Sequence, residues 1–277
     1  MDALGIIGLA ILAVTFLISY QGFKDHVYFE RHLFRVRDIR YGKQYYRLVT
    51  SGFLHTGWVH LLFNVITFYC FGGSIEETVG IRNFLLIYLA SLLGGNLFSL
   101  FLHRHDSEYS AVGASGAITG LVFAAIALYP GMRVGMVGIP YFMAGWLYGL
   151  LYVLLSAYGI SARRDNIGHD AHLGGGLVGL GVVVALRPEL LITNYLAISA
   201  ILLPALGFIY LLLKKPEALV LGNFFTAAPG YQTTDDRHKA SKRQQDADLD
   251  QLLDKINRKG FDSLSAREKK ELEELSR

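Results

Sequence analysis

Apolar residues form seven runs along the first 213 positions, each close to the roughly 20 residues that a membrane-spanning helix requires. The second and sixth runs carry the most polar residues or glycines. The pattern predicts an all-α fold, a polytopic bundle of transmembrane helices, with 1–213 as the membrane domain. The predicted spans are 3–19, 54–71, 84–102, 111–129, 134–158, 171–186 and 190–213.

One polar segment interrupts this pattern early in the chain. Residues 21–53 separate the first two spans and contain seven lysines and arginines together with several aromatic residues. The segment is too long for a tight turn, so we expect it to fold at the membrane interface.

The end of the chain has a different composition. Residues 214–277 hold 13 of the 26 lysines and arginines and 12 of the 23 aspartates and glutamates. Residues 214–245 are polar and predict a linker. Residues 246–277 show leucines at helical spacing and a capping box formed by Ser265 and Glu268, which predict a small, soluble helical tail module. We expect this tail to be a solubilising appendage or a docking site for an unknown partner.

The amino-acid composition limits the classes of function that the chain can have. The chain is 52% hydrophobic and its net charge is only +3, which gives little support to a nucleic-acid partner. The single cysteine, Cys70, excludes an internal disulfide framework. We therefore expect a multi-pass membrane protein whose surroundings are the lipid bilayer.

Three groups of polar residues fall inside the predicted spans, where such side chains are costly and usually functional. His60 and Asn64 are four residues apart and share one face of the second span. Ser115 lies in the stretch GASG near the start of the fourth, and His172 lies near the start of the sixth. A serine, a histidine base and side-chain donors for an oxyanion are the components of a serine hydrolase.

Glycines accompany these residues. Gly116 and Gly120 form a small-xxx-small face on the fourth span, and Gly175 and Gly179 do the same on the sixth. Small residues let membrane helices approach closely, which Ser115 needs in order to reach His172. Gly113 also permits a tight backbone entry before the serine.

These motifs resemble those of rhomboid intramembrane serine proteases. The chain has HxxxN at 60–64, GxSG at 113–116 and AHxxG at 171–175, in that order and in successive apolar spans. An aromatic-Arg pair typical of the first loop is present as Tyr46-Arg47, where Trp-Arg is the usual form. The resemblance covers about 46–186, and it implies a six-helix core to which the span 190–213 adds a seventh helix.

The resemblance implies a role for each residue that matches a motif. Ser115 is the nucleophile and His172 the general base of a dyad. His60, Asn64 and the Ser115 backbone N–H form the oxyanion hole, and His55 is a structural residue on the rim. Many bacterial rhomboids have a tyrosine four residues after the serine, stacked on the base. Here that position is Thr119, so the group that holds the His172 ring is open, and a hydrogen bond from Thr119 is one possibility. The implied substrates are transmembrane proteins, and the implied location is the plasma or inner membrane of a bacterium.

Other interpretations have weaker support. A histidine metal site at His55, His60 and His172 lacks an HExxH motif and a carboxylate within the spans, so we expect no metal and no cofactor. A non-catalytic rhomboid-like client-binding protein generally lacks the serine or the histidine. A transporter is expected to show internal repeats. His103, His105 and His169 fall between the predicted spans, and we expect them to be solvated.

Two arguments predict opposite orientations of the chain in the membrane. The positive-inside rule places the basic segment 21–53 in the cytoplasm, whereas the resemblance places it outside. We follow the resemblance, because basic residues also bind lipid headgroups. Seven spans would then place the tail on the outer side, and six would keep it inside.

Overall fold

The computed structural model describes residues 4–135, 142–162, 167–214 and 265. Five helices in this part of the chain are long and apolar enough to cross a membrane, and α6 is a shorter apolar helix. The prediction of an all-α polytopic bundle is confirmed. Apart from Lys214 and Ser265, the predicted linker and tail module lie outside the described residues. The helices are α1 (Ile6–Lys24), α2 (His26–His32), α3 (Val36–Arg40), α4 (Arg47–Thr50), α5 (Trp58–Leu102), α6 (Ser115–Leu128), α7 (Gly145–Ala162), α8 (His169–Leu186), α9 (Leu190–Thr193) and α10 (Tyr195–Lys214).

The 45-residue helix α5 contains the second and third predicted spans. It is broken at Gly80, whose backbone (φ 76°, ψ 161°) is not helical. Glycine adopts a positive φ of this kind without steric cost, so Gly80 allows the chain to turn here. The first half extends to Val79, beyond the predicted end at Phe71, and so brings Glu76 into a helix. The buried Glu76 carboxylate accepts hydrogen bonds from the N–H groups of Gly8 (3.0 Å) and Ile7 (3.4 Å) at the start of α1.

The fifth predicted span begins too early. The strand β3 (Arg133–Gly135) pairs antiparallel with β4 (Phe142–Ala144), and helix α7 starts only at Gly145. Hydropathy alone cannot separate short apolar strands from an apolar helix, because both consist of apolar residues.

The segment 21–53 is folded rather than extended. Its strand β1 (Phe34–Arg35) pairs antiparallel with β2 (Ser110–Ala111), just ahead of the GASG stretch. Arg47, from the aromatic-Arg pair, is buried and donates to the carbonyl oxygens of Glu30 (2.8 Å) and Leu33 (2.7 Å). It also pairs with Asp38 at 3.0 Å. Arg47 therefore stabilises the segment 21–53, whose strand β1 pairs with β2 shortly before α6 begins.

Helix α8 packs between α5 and α6 through its glycines. A Cβ on Gly175 would collide with the carbonyl oxygen of Gly116, and a Cβ on Gly179 would collide with the backbone of Gly120. The same region of α8 also contacts α5, where a Cβ on Gly95 would meet the carbonyl oxygen of Ala171 at 2.5 Å. The helices thus touch backbone to backbone, as the small-xxx-small pattern predicts.

Helix α10, the last long helix that the structure describes, packs beside α7. Ile201 lies where a Cβ on Gly149 of α7 would be, at 2.7 Å. The buried amide of Asn194 donates to the carbonyl oxygens of Ile126 (2.8 Å) and Ala127 (2.9 Å) at the end of α6. By length and composition α10 can cross a membrane, with Pro204 inside it.

Candidate active site

Ser115 and His172 lie within hydrogen-bond distance. Ser115 is the first residue of α6 and His172 is in the first turn of α8, and Ser115 Oγ is 2.7 Å from His172 Nε2. Both side chains are partly exposed. For Nε2 to accept the hydroxyl proton, the proton of the neutral imidazole must be on Nδ1. The arrangement can therefore convert the hydroxyl into a nucleophile.

The backbone before Ser115 is shaped by Gly113. Its φ is +132°, which side-chain-bearing residues rarely adopt. A Cβ there would also lie 2.9 Å from Cε1 and 3.0 Å from Nε2 of His60, and 3.6 Å from Ser115 Oγ. Only glycine leaves room for the His60 ring beside Ser115. The Gly113 N–H donates to the Ser51 carbonyl oxygen (3.0 Å), which ties this turn to the first loop.

Asn64 lies one helical turn after His60. Its amide donates to the His60 carbonyl oxygen at 3.0 Å, and its side chain lines a small cavity together with Ala114 and Ile118. The second amide N–H is bonded to no residue that the structure describes. The first N–H groups of α6 are likewise not used within the helix. The face beside Ser115 is therefore rich in N–H donors.

His55 is fully buried behind His60. Its Nδ1 is 2.8 Å from the hydroxyl of Ser19, which donates to the Phe53 carbonyl oxygen. The rings of His55 and His60 meet edge to face, with centroids 4.8 Å apart. Thr56 Oγ1 is 3.2 Å from His60 Nδ1 on the other side. Between them these contacts orient the His60 ring toward Gly113.

Thr119 does not hold the His172 ring by the hydrogen bond suggested by the sequence. Its hydroxyl donates to the Ser115 carbonyl oxygen (2.8 Å) and lies 3.0 Å from the hydroxyl of Tyr152 on α7. Threonine on a helix commonly bonds its own backbone four residues back, and that bond uses the only hydroxyl proton. The aromatic ring of Tyr152 lies near His172 instead, with centroids 6.1 Å apart. Sequence reasoning missed Tyr152 because no motif marks it.

The acidic residue nearest to His172 in sequence, Asp170, faces away from it. Its carboxylate lies 3.1 Å from His103 Nε2 and accepts from the Tyr109 hydroxyl at 3.2 Å. Burial and the charge of Asp170 raise the pKa of the Tyr109 hydroxyl well above its usual value. His103 stacks flat on Tyr109, and His169 packs against Gly159. His103 and His169 are therefore packed and only partly exposed, whereas His105 is exposed as expected.

Among residues 4–135, 142–162 and 167–214, no group of three or more His, Cys, Asp or Glu side chains is arranged to hold a metal ion. The site itself offers a serine hydroxyl, an imidazole and N–H donors.

Comparison with known proteins decides the family. The model of the rhomboid domain matches residues 42–189, more than half of the 277-residue chain. The chain belongs to the rhomboid family. It is a multi-pass membrane protein, and the predicted resemblance is confirmed. The rhomboid domain contains every residue proposed for the site, from His55 to Gly175. A second family model, a family of unknown function (DUF6576), matches residues 232–277, which include the predicted tail module.

Curated relatives come from several kingdoms. Rhomboid protease GluP of Bacillus subtilis is 32% identical over 177 residues, which cover 63% of this chain and 33% of the relative. Rhomboid protein 1, mitochondrial, of Saccharomyces cerevisiae is 31% identical over 136 residues (48% and 39%). RHOMBOID-like protein 5 of Arabidopsis thaliana is 33% identical over 153 residues (52% and 45%). The chain spans less than half the length of each of these three relatives.

Proposed function

We propose that this chain is an intramembrane serine endopeptidase that cleaves transmembrane proteins near the membrane surface through a Ser115–His172 dyad. The observation that carries the proposal is the 2.7 Å separation between Ser115 Oγ and His172 Nε2, on two helices of an apolar bundle. Since polar groups at membrane depth are costly, two that meet in this way point to chemistry.

The first half of the reaction forms an acyl-enzyme. His172 Nε2 accepts the Ser115 proton as Oγ bonds to the scissile carbonyl carbon, and the carbonyl electron pair moves to oxygen. The Ser115 N–H and the side chains of His60 and Asn64 stabilise that oxyanion. His172 then gives its proton to the leaving amine as the C–N bond breaks.

The second half is hydrolysis of the ester. Water attacks the acyl carbon and gives a proton to His172, and the collapse of this second oxyanion returns the proton to Ser115. The dyad residues lie in the first turns of α6 and α8 and are partly exposed, which gives water a route to them.

The substrate is a transmembrane segment that unwinds locally, because a helix keeps its scissile carbonyl in its own hydrogen bonds. Similarity to GluP of Bacillus subtilis supports a location in a bacterial plasma membrane. The tail 246–277 docks a further partner or keeps the chain soluble outside the membrane.

The alternative is a rhomboid-like protein that binds membrane clients without cleaving them. Such a protein has no need of an aligned nucleophile and base. The Ser115–His172 contact therefore favours the protease.

The first prediction tests the nucleophile. Ser115→Ala should abolish cleavage of a model transmembrane substrate in detergent or liposomes, because it removes the attacking oxygen. It should also abolish labelling by a fluorophosphonate, an electrophile that reacts with activated serines. Thermal unfolding should change little, since only one hydroxyl is lost.

The matched control is Ser161→Ala on α7, whose hydroxyl, among the described residues, bonds only its own helix, at the Ala157 carbonyl oxygen (2.9 Å). It should cleave and label like the wild-type protein. Residual cleavage by Ser115→Ala at the wild-type rate would refute the dyad. A wild-type protein that binds transmembrane segments but neither cleaves nor labels would favour the client-binding alternative.

A further inference from the structure

Helix α7 places an aromatic side chain next to both halves of the dyad. Tyr152 is half-buried, and its ring lies 6.1 Å from the His172 ring, centroid to centroid, at an angle of 40°. Phe123 of α6 meets the same tyrosine ring edge to face at 5.7 Å. Aromatic pairs interact favourably at these separations. Tyr152 therefore contacts the helix of the nucleophile and the base itself.

The hydroxyl of Tyr152 reaches the turn that carries Ser115. It lies 3.0 Å from Thr119 Oγ1, and the Thr119 hydroxyl donates its only proton to the Ser115 carbonyl oxygen. Tyr152 must then be the donor in the first bond. A chain of two hydrogen bonds thus runs from Tyr152 through Thr119 to Ser115.

The base needs an orienting contact of this kind. Rotation of the imidazole about its Cβ–Cγ bond would move Nε2 away from Ser115 Oγ, which it faces at 2.7 Å. The neighbouring carboxylate of Asp170 is bound to His103 and Tyr109 and does not supply the contact. A ring packed beside the imidazole restricts that rotation.

We propose that Tyr152 is a positioning residue for His172. Its ring limits the orientation of the imidazole, and its hydroxyl, fixed by Thr119, holds that ring in register with Ser115. The role rests on the proposed protease function. It makes the geometry of the dyad depend on helix α7, although α7 carries neither dyad residue.

The test compares variants that remove the ring, the hydroxyl or its acceptor. Tyr152→Leu should lower kcat by about 10- to 100-fold with little change in KM, because a displacement near 1 Å costs about a hundredfold in rate. Tyr152→Phe and Thr119→Val should each cause a smaller loss. Thr119→Ser, which keeps the hydroxyl, should restore the wild-type rate. The double variant Tyr152→Phe/Thr119→Val should lose no more than the worse single variant, because both changes break the same bond.

The rates of cleavage and of fluorophosphonate labelling are measured beside thermal unfolding. The control is Tyr158→Leu, an exposed tyrosine on the same helix, which should leave the rates unchanged. The inference is overturned if Tyr152→Leu keeps the wild-type kcat, or if Thr119→Ser is as slow as Thr119→Val. It is also overturned if the rates fall only in proportion to the folded fraction. A wild-type protein that neither cleaves nor labels would instead overturn the proposed function.

Discussion

Single glycines lie at the helix contact that brings Ser115 close to His172. Gly175 faces the carbonyl oxygen of Gly116, and its Cβ would also lie 3.0 Å from the Ser91 carbonyl oxygen. Gly181, six residues later on α8, has nothing within 4 Å of its Cβ position. The same residue type is therefore essential at one position and unconstrained at another.

Replacing Gly175 by valine should push α8 away from α6. We expect overpacking to cost about 1–3 kcal/mol of stability. We expect turnover to fall by about a hundredfold, since the dyad is displaced by roughly 1 Å. The Gly181→Val variant, whose new side chain would lie on the open face of α8, should keep the wild-type stability and turnover. Turnover and thermal unfolding measured in the same detergent check this, and full activity of Gly175→Val would show that the glycines do not set the dyad distance.

Among individual residues, those that belong to recognisable motifs could be predicted from the sequence, and those outside motifs could not. Ser115, His172 and the glycines follow recognisable spacings. Tyr152 and the His103–Asp170 pair depend on how one helix is rotated against another, which apolar spacing does not specify. The partner of Thr119 was unpredictable for the same reason.

Among the helices, α5 is hydrogen-bonded to the start of α1 through the side-chain carboxylate of Glu76. Glu76 is followed directly by a second acidic residue, and this polar pair predicts a connection between two spans. In the structure it is helical and caps the free N–H groups at the start of α1. Each of the seven apolar runs overlaps a helix in the described part of the chain, with the second and third both in α5, but the turn at Gly80 and the two-residue strands depend on local backbone geometry that hydropathy does not record.

Glu76→Ala should therefore loosen α1. Buried N–H groups that lose a charged acceptor cost about 1–3 kcal/mol. The neighbouring Glu77 is exposed, and Glu77→Ala should change stability by less than about 0.5 kcal/mol. Thermal unfolding of the two variants provides the comparison. Equal effects would mean that the carboxylate of Glu76 does not support α1.

Across the whole molecule, the proposed site is contained in the rhomboid domain. Its residues fall between His55 and Gly175, and the described contacts that hold them come from residues 4–214. The matched tail family begins only at residue 232. The domain boundaries drawn from charge, 1–213, 214–245 and 246–277, remain a prediction.

A chain ending at Lys214 should keep its catalytic rate in detergent. The reason is that no residue proposed for chemistry or for its support follows that position. Cleavage and fluorophosphonate labelling of the shortened chain, with its own Ser115→Ala variant as the blank, measure this. A folded but inactive product would assign the tail a part in catalysis and contradict the division into domains.

The position of α8 between α5 and α6 has a consequence for biosynthesis. The ribosome makes α5 and α6 first, and His172 follows Ser115 by 57 residues. Until α8 packs against them, the Gly116 backbone lacks its contacts with Ala171 and Gly175, although Gly120 already faces Ser91 of α5, and the proposed nucleophile has no base. Under the proposed function, a nascent chain is therefore inert toward other membrane proteins, and toward itself, until its sixth span has entered the bilayer.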